Sequence, residues 1–206
     1  DCEHAWLVIF DPAVTKSAPH RLVVWGAMDI LSHTFEYYFN GFEGSEFQSR
    51  FSEAIALSVM HALDVLNETP EDLTALGELQ WCATMAWGGL TKIGRMEPEM
   101  TCHWLEESFS GYFDTHHGAC LGVLTPRWMR MVCQDKPSIF ARFARNVMGV
   151  VEEDDKKAAA EGVERYIAWL KTIHAPNTFF DIGKKEFSDA QIEHVVSTAW
   201  RIYDGH

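Results

Sequence analysis

Only one segment of this 206-residue sequence has the pattern of a β-strand, and everything after residue 20 has the pattern of α-helices. The strand-like segment is residues 5–10 (AWLVIF), a short apolar run that ends at Asp11-Pro12. A single strand cannot pair its own backbone N–H and C=O groups, so it would have to join a sheet that this sequence does not supply. The sequence therefore predicts an all-α domain behind one leftover strand, as a piece of a larger protein.

Helix start signals support the all-α prediction. Ser45 and Gln48 have the spacing of a capping box, and Ser188 and Gln191 repeat it before the final helix. Residues 69–72 (TPED) offer a cap, a proline at the first helical position and acidic residues in the first turn. Three helices are predicted to begin at these points.

Prolines and a run of charge divide the rest of the chain. Pro98 is predicted to precede a helix that reaches about Tyr112, and Pro126 to bend or end the next helix, which begins near His117. The charged run at residues 152–157 is predicted to open a helix that closes at residues 175–177 (APN). We assign that run to a solvated helix face and give it no function.

Composition excludes two classes of partner. The 17 basic and 30 acidic side chains leave a formal charge of −13, which is unsuited to neutralising phosphates, so no nucleic-acid partner is expected. No stretch reaches the roughly 18 consecutive apolar residues of a membrane helix. Five cysteines without a C-x-x-C pair, and no signal-peptide pattern at the start, predict reduced thiols and a cytoplasmic protein.

One histidine, His33, has a carboxylate at a spacing that weakly indicates a metal site. Asp29 and His33 are four residues apart, which places a carboxylate and an imidazole on one helix face, close enough to share a metal ion. Such pairs also arise by chance on many helices. Six other histidines stand alone, and a lone histidine is more often a surface or core residue than a ligand; these are His4, His20, His61, His174, His194 and His206.

His103 and His117 form the second candidate pair. They are separated by fourteen residues, and residues 111–116 (GYFDTH) have the pattern of a break between two helices. A helix-turn-helix can bring the two rings together. On these features alone, a helical bundle whose histidines only pack would be the preferred interpretation.

Three blocks in order carry a family resemblance: Asp11-Pro12, the pattern G-x-x-D-x-x-S-H-x-x-E-x-Y at residues 26–38, and the pattern Y-x-D-x-x-H-G-x-x-L-x-x-x-x-P-x-W-M at residues 112–129. With His103 between the last two, they cover nearly the whole chain. The sequence resembles the iron-containing (metal-dependent) alcohol dehydrogenases and is most similar to their butanol dehydrogenase branch.

The resemblance implies a two-domain enzyme in which a Rossmann-like nucleotide domain is followed by a helical metal-binding domain of the dehydroquinate synthase-like fold. Residues 1–12 would then be the end of a missing nucleotide-binding domain, and residues 13–206 the all-helical catalytic domain. By position, the metal ligands are Asp29, His33, His103 and His117. Three imidazoles and one carboxylate suit Fe²⁺, Zn²⁺ or another divalent metal.

The implied reaction transfers a hydride between NAD(P), bound through the missing domain, and a small alcohol or aldehyde. The metal would act as a Lewis acid on the substrate oxygen. Family members are commonly homodimers, so the resemblance also implies a homodimer.

The sequence departs from the family at two points. Family members usually have a second histidine four residues after the one that matches His103. This chain has Glu107 at that position, which we interpret equally as a proton relay or as a solvated residue. No G-x-G-x-x-G follows a strand, and Gly88-Gly89 lies late in a predicted helix, so no phosphate-binding loop is visible.

Alternatives remain open. The chain could be a metal-binding helical domain without catalysis of its own, or a relative of glycerol dehydrogenase or dehydroquinate synthase. Paired E-x-x-H motifs of di-iron bundles and the H-E-x-x-H motif of zinc proteases are absent from the sequence.

Overall fold

A computed structural model describes residues 6–40, 44–95, 100–183 and 186–204. Within these ranges the chain forms helices and no β-strand, which confirms the all-α prediction. The helices are α1 (Pro12–Thr15), α2 (His20–Tyr38), α3 (Glu46–Glu68), α4 (Leu73–Trp87), α5 (Thr101–Phe113), α6 (His117–Val132), α7 (Pro137–Asn146), α8 (Asp155–Thr172) and α9 (Asp189–Asp204).

The strand predicted at residues 5–10 is not formed. Ala5 lies outside the described residues, and residues 6–10 have no regular structure, with Trp6 98% and Ile9 81% exposed. The described part of the chain contains no second strand with which they could pair, so a ladder cannot form. The assignment of residues 1–12 to another domain stays a prediction.

The Asp11-Pro12 pair begins a helix as well as ending the apolar run. The Asp11 carboxylate accepts a hydrogen bond from the Ala13 N–H at 2.9 Å, and Pro12 occupies the first turn, where its missing N–H costs nothing. The short helix α1 then packs against α4.

Helix α2 lies at the centre of the fold. It packs against α3, α4, α5 and α6, so most of its faces are covered. Leu31 and Phe35 on this helix are no more than 1% exposed. A side chain on α2 is therefore close to residues from several other helices, including those far away in sequence.

An aromatic cluster joins α2 to α7 and α8. Phe39 stacks on Phe140 with ring centroids 4.1 Å apart, and Phe35 meets Phe143 and Tyr166 edge to face at 5.4 and 5.5 Å. These rings are almost completely buried. Burial of each ring contributes about 1.5–3 kcal/mol, so this cluster is a main source of stability.

Of the three predicted helix starts, those at Ser45 and Ser188 are confirmed, and the capping box forms only at Ser188. The Gln191 N–H donates to Ser188 Oγ at 3.3 Å, and Gln191 Oε1 accepts from the Ser188 N–H at 3.0 Å. Ser45 does precede α3, but its hydroxyl makes no capping hydrogen bond. Its ψ of 59° departs from the extended backbone that directs a capping hydroxyl toward the helix.

The start predicted at residues 69–72 is displaced by one turn. Thr69 instead follows the end of α3, and α4 begins at Leu73 with Asp72 as its cap. The Asp72 carboxylate accepts from the Ala75 N–H at 2.8 Å. A carboxylate at this position satisfies an orphan amide of the first turn, so the helix begins after it.

Pro126 does not end α6, which continues to Val132. The proline is buried, and beside it the Arg127 guanidinium donates to the Val123 carbonyl oxygen at 2.8 Å. Packing of α6 against α2, α5 and α8 outweighs the loss of one backbone hydrogen bond. Pro98 lies outside the described residues, but the helix predicted after it is present as α5.

The described residues bear on two expectations from composition, the absence of a membrane helix and the presence of reduced thiols. None of the described helices is long and apolar enough to cross a lipid bilayer. Cys82, Cys102 and Cys133 are buried free thiols, and Cys120 is buried in contact with Thr115. Cys2 lies outside the described residues.

Candidate metal centre

Helix α2 presents the first pair of predicted ligands. Asp29 and His33 lie one turn apart, and His33 Nε2 is 3.2 Å from Asp29 Oδ1. The Asp29 side chain is 35% exposed and that of His33 only 14%. Since Asp29 is partly exposed and His33 is largely buried, this pair lies at the boundary between the core and solvent.

The second pair reaches the same carboxylate oxygen from two other helices. His103 on α5 places Nε2 3.6 Å from Asp29 Oδ1, and His117 at the start of α6 places Nε2 3.4 Å from it. The connection between α5 and α6 is short because Asp114 adopts a left-handed conformation, with φ of 53°. The structure therefore brings together all four residues singled out from the sequence.

Two glutamates that the sequence reasoning missed lie behind these histidines. Glu36 on α2 is hydrogen-bonded to Nδ1 of His103, and Glu106 on α5 is hydrogen-bonded to Nδ1 of His117. Both glutamates are buried, and Glu106 is completely so. A signal was present, since each follows a histidine by three residues, in His33-x-x-Glu36 and His103-x-x-Glu106.

The donor set fits a divalent ion. Asp29 Oδ1 and His103 Nε2 are buried and have no hydrogen-bond partner in the described part of the chain, an arrangement that is costly unless an ion or water satisfies them. Asp29, His33 and His103 each offer a ligand atom within 4.8 Å of the others. Ligand atoms around a tetrahedral ion lie about 3.4 Å apart, close to the observed Asp29 distances.

The pKa values of the three imidazoles shift in different directions: that of His33 is lowered, and those of His103 and His117 are raised. Burial and the nearby His103 lower the pKa of His33 to about 4. Burial opposes protonation of His103, but the Asp29 and Glu36 carboxylates close to its ring raise its pKa to about 9. The Asp29 and Glu106 carboxylates close to its ring raise the pKa of His117 to about 10. The cluster therefore attracts positive charge, either as protons or as a metal ion.

The pKa of Asp29 lies well below its usual range. Burial alone would raise the pKa, but the close imidazoles of His103 and His117 outweigh that effect. Asp29 is therefore an anion at neutral pH. An ionised carboxylate at the point where three imidazoles meet is the form that binds a cation.

Other candidates lie outside this cluster. The ring of His116 packs against Trp25, with centroids 4.8 Å apart, while its neighbour His117 faces Asp29. Glu107 is exposed on α5, and its role as a proton relay stays a prediction. Trp87, which is 73% exposed, packs edge to face on His33 at 4.6 Å and lies at the rim.

The chain is similar to known proteins over most of its length. The model of the Fe-containing alcohol dehydrogenase family, C-terminal part, matches residues 23–203. NADH-dependent butanol dehydrogenase A of Clostridium acetobutylicum is 30% identical over 177 residues, which cover 85% of this chain and 45% of that protein. NADPH-dependent aldehyde reductase of Escherichia coli is 23% identical over 175 residues, or 85% of this chain and 45% of that protein.

A solved structure shows the same fold. The crystal structure of NADH-dependent butanol dehydrogenase A from Thermotoga maritima superimposes with a TM-score of 0.85 at 33% sequence identity. The match covers 93% of this chain and 47% of that one. The chain thus spans about half the length of the relatives that it matches.

Proposed function

This chain belongs to the Fe-containing alcohol dehydrogenase family, and we propose that it forms the metal-holding domain of an NAD(P)-dependent alcohol dehydrogenase or aldehyde reductase. It has the fold of the family's C-terminal domain. One observation carries the proposal: the Nε2 atoms of His33, His103 and His117 all lie within 3.2–3.6 Å of Asp29 Oδ1.

The four side chains are proposed to hold one divalent ion, Fe²⁺, Zn²⁺ or a related metal. When bound, such an ion supplies a Lewis acid that polarises a carbonyl oxygen or stabilises an alkoxide. Asp29 contributes one negative charge, and the three imidazoles contribute none when neutral. Among the four ligands themselves, this donor set would offset one of the two charges of a divalent ion.

The nucleotide is proposed to bind outside this chain. The sequence contains no G-x-G-x-x-G loop for its phosphates. The substrate is proposed to be a small alcohol or aldehyde, because the relatives named above are butanol dehydrogenases and an aldehyde reductase. Association into a homodimer stays a prediction from the resemblance.

Proton exchange with solvent is proposed to involve Glu107. It is four residues beyond His103 on α5, and its exposed carboxylate can exchange protons with water. Substituting Glu107 with glutamine should lower the rate of aldehyde reduction in the complete enzyme and change its pH profile, whereas a merely solvated residue would leave both unchanged.

The proposal is tested by joining this chain to the nucleotide-binding domain of a butanol dehydrogenase relative. Elemental analysis of protein purified without a metal-chelating column should find one divalent ion per chain. The joined protein should oxidise NADH or NADPH when butanal is added, and His117→Ala should abolish that oxidation. Metal without turnover would favour a binding domain without catalysis, and absence of metal would contradict the proposed centre.

A further inference from the structure

Two buried glutamates contact the histidines on the side away from Asp29. Glu36 is hydrogen-bonded to Nδ1 of His103, and Glu106 to Nδ1 of His117. We propose that Glu36 and Glu106 are positioning residues of the metal centre: with an ion bound, they keep the single proton of each ring on Nδ1 and direct Nε2 toward Asp29. This inference rests on the proposed metal centre and adds two residues to it.

The physical basis is the tautomer of imidazole. A neutral ring carries its single proton on one nitrogen and its lone pair on the other. A carboxylate that accepts from Nδ1–H keeps the proton there, leaves Nε2 free to bind a metal, and prevents the ring from rotating. Since both rings are held in this way, their Nε2 atoms reach Asp29 Oδ1 at similar distances, 3.6 Å for His103 and 3.4 Å for His117.

Glu36 also fixes the backbone that carries His103. Its Oε1 accepts from the N–H of Cys102 at 2.8 Å and from that of His103 at 3.3 Å. Met100, the residue that precedes α5, makes no side-chain capping hydrogen bond. Glu36 therefore caps α5 from a different helix, where its charge also interacts favourably with the helix dipole. It positions His103 through both the ring and the main chain.

Glu106 has fewer hydrogen-bond partners than Glu36 in the described part of the chain. It is completely buried, and its Oε1 makes no hydrogen bond within the described residues. Its other oxygen contacts the His117 ring. A buried carboxylate with one partner is costly to a fold and contributes little to stability. Its charge is offset across the His117 ring, by a proton on that ring or by a cation beyond it.

Glu53 provides a contrast within the same molecule. It too is buried, at 4% exposure, but it accepts hydrogen bonds from Tyr38 at 2.9 Å and Asn146 at 3.0 Å, and pairs with Arg142. These partners account for Glu53 as part of the folded core. Glu53 is therefore the matched control, a buried carboxylate that contacts no candidate ligand.

The test measures affinity for cobalt(II), added alone, in the 206-residue chain and in glutamine variants. Binding is followed by the visible absorption of cobalt(II) and by competition with a chelator. Glu36→Gln and Glu106→Gln should each weaken binding by about 10–100-fold. Glu53→Gln should lower the melting temperature of the metal-free chain and leave cobalt(II) affinity unchanged.

The outcomes separate this inference from the proposed function. If the parent chain binds no cobalt(II), the metal centre and the positioning role both fail. If the parent binds it and both glutamine variants bind as tightly, only the positioning role is wrong. Should a variant not fold, ¹⁵N NMR of the zinc-loaded parent decides: protons on Nδ1 of His103 and His117 are expected, and protons on Nε2 would overturn the inference.

Discussion

Gly118 lies directly against the backbone of Trp25, so close that a Cβ at position 118 would be 2.1 Å from the Trp25 carbonyl oxygen. This contact joins the first turn of α6 to α2. His117, the preceding residue, thereby comes within reach of Asp29. The close approach of two helices, and not only the identity of the ligands, forms the candidate site.

Substituting Gly118 with alanine should force α6 away from α2. The expected cost is about 1–3 kcal/mol from overpacking against a rigid backbone, together with weaker metal binding as His117 is displaced. Both are measured by thermal melting and by metal titration. Gly111→Ala is the control, because a Cβ there meets nothing within 4 Å, and it should be neutral or stabilise by up to about 1 kcal/mol. Equal melting of the Gly118 variant and the parent would contradict this prediction.

Metal should stabilise the chain, since the ligands come from three helices. With the ion at about a hundred times its dissociation constant, mass action contributes roughly 2.7 kcal/mol, equivalent to about 5–11 °C in melting temperature. Excess chelator should remove this increment. His117→Ala should remove most of it, whereas His61→Ala, on the exposed face of α3, should leave it intact. A chelator-independent melting curve in metal-containing protein would show that the ion lies elsewhere.

The metal-dependent stability should increase with pH above neutrality. His103 and His117 have pKa values raised to about 9 and 10, so the metal-free fold gains stability from their protonation that is complete below about 6.5 and lost as pH rises through 9 and 10. A metal must displace those protons, so its apparent affinity should rise by up to about tenfold per proton for each pH unit in that window. Chelator competition at pH 6.5, 7.5 and 8.5 checks this. A constant affinity above pH 6.5 would contradict it.

Removal of Arg142 should destabilise the chain strongly. Its Nε is 2.5 Å from Glu53, which is buried, and without this guanidinium the only cationic partner of the Glu53 carboxylate among the described residues is the more distant Arg50, at 3.6 Å. For Arg142→Met we expect a loss near the lower end of about 3–5 kcal/mol, because Tyr38 and Asn146 still donate to Glu53. Chemical denaturation measures this loss.

Arg130→Met is the matched control for that experiment. Arg130 pairs with Glu164 at 2.6 Å, but both side chains are more than half exposed, so solvent screens the interaction. The expected loss is about 0–1 kcal/mol. Similar losses for the two variants would mean that burial of Glu53 does not determine the strength of its ion pair.

Sequence reasoning was most successful where the relevant residues are neighbours along the chain. The Ser188–Gln191 capping box is present as predicted, and so is the helix α8 that begins within the charged run at residues 152–157. For residues 5–10 the apolar run predicts a strand of a sheet outside this chain; residues 6–10 have no regular structure here, and that assignment stays a prediction. Sequence reasoning wrongly placed the start of α4 at Thr69, because two polar caps, Thr69 and Asp72, compete within one turn.

The sequence by itself determined the all-α architecture and the Asp29–His33 pair, because helical periodicity and four-residue spacing follow from the geometry of a single helix. Only the tertiary structure decided that Glu36 bonds to His103, 67 residues later, and that Glu106 bonds to His117. Whether such side chains meet depends on how closely α2, α5 and α6 approach, and that distance is set by contacts such as Gly118 against Trp25. The spacing of residues along the chain carries no information about the distance between these helices.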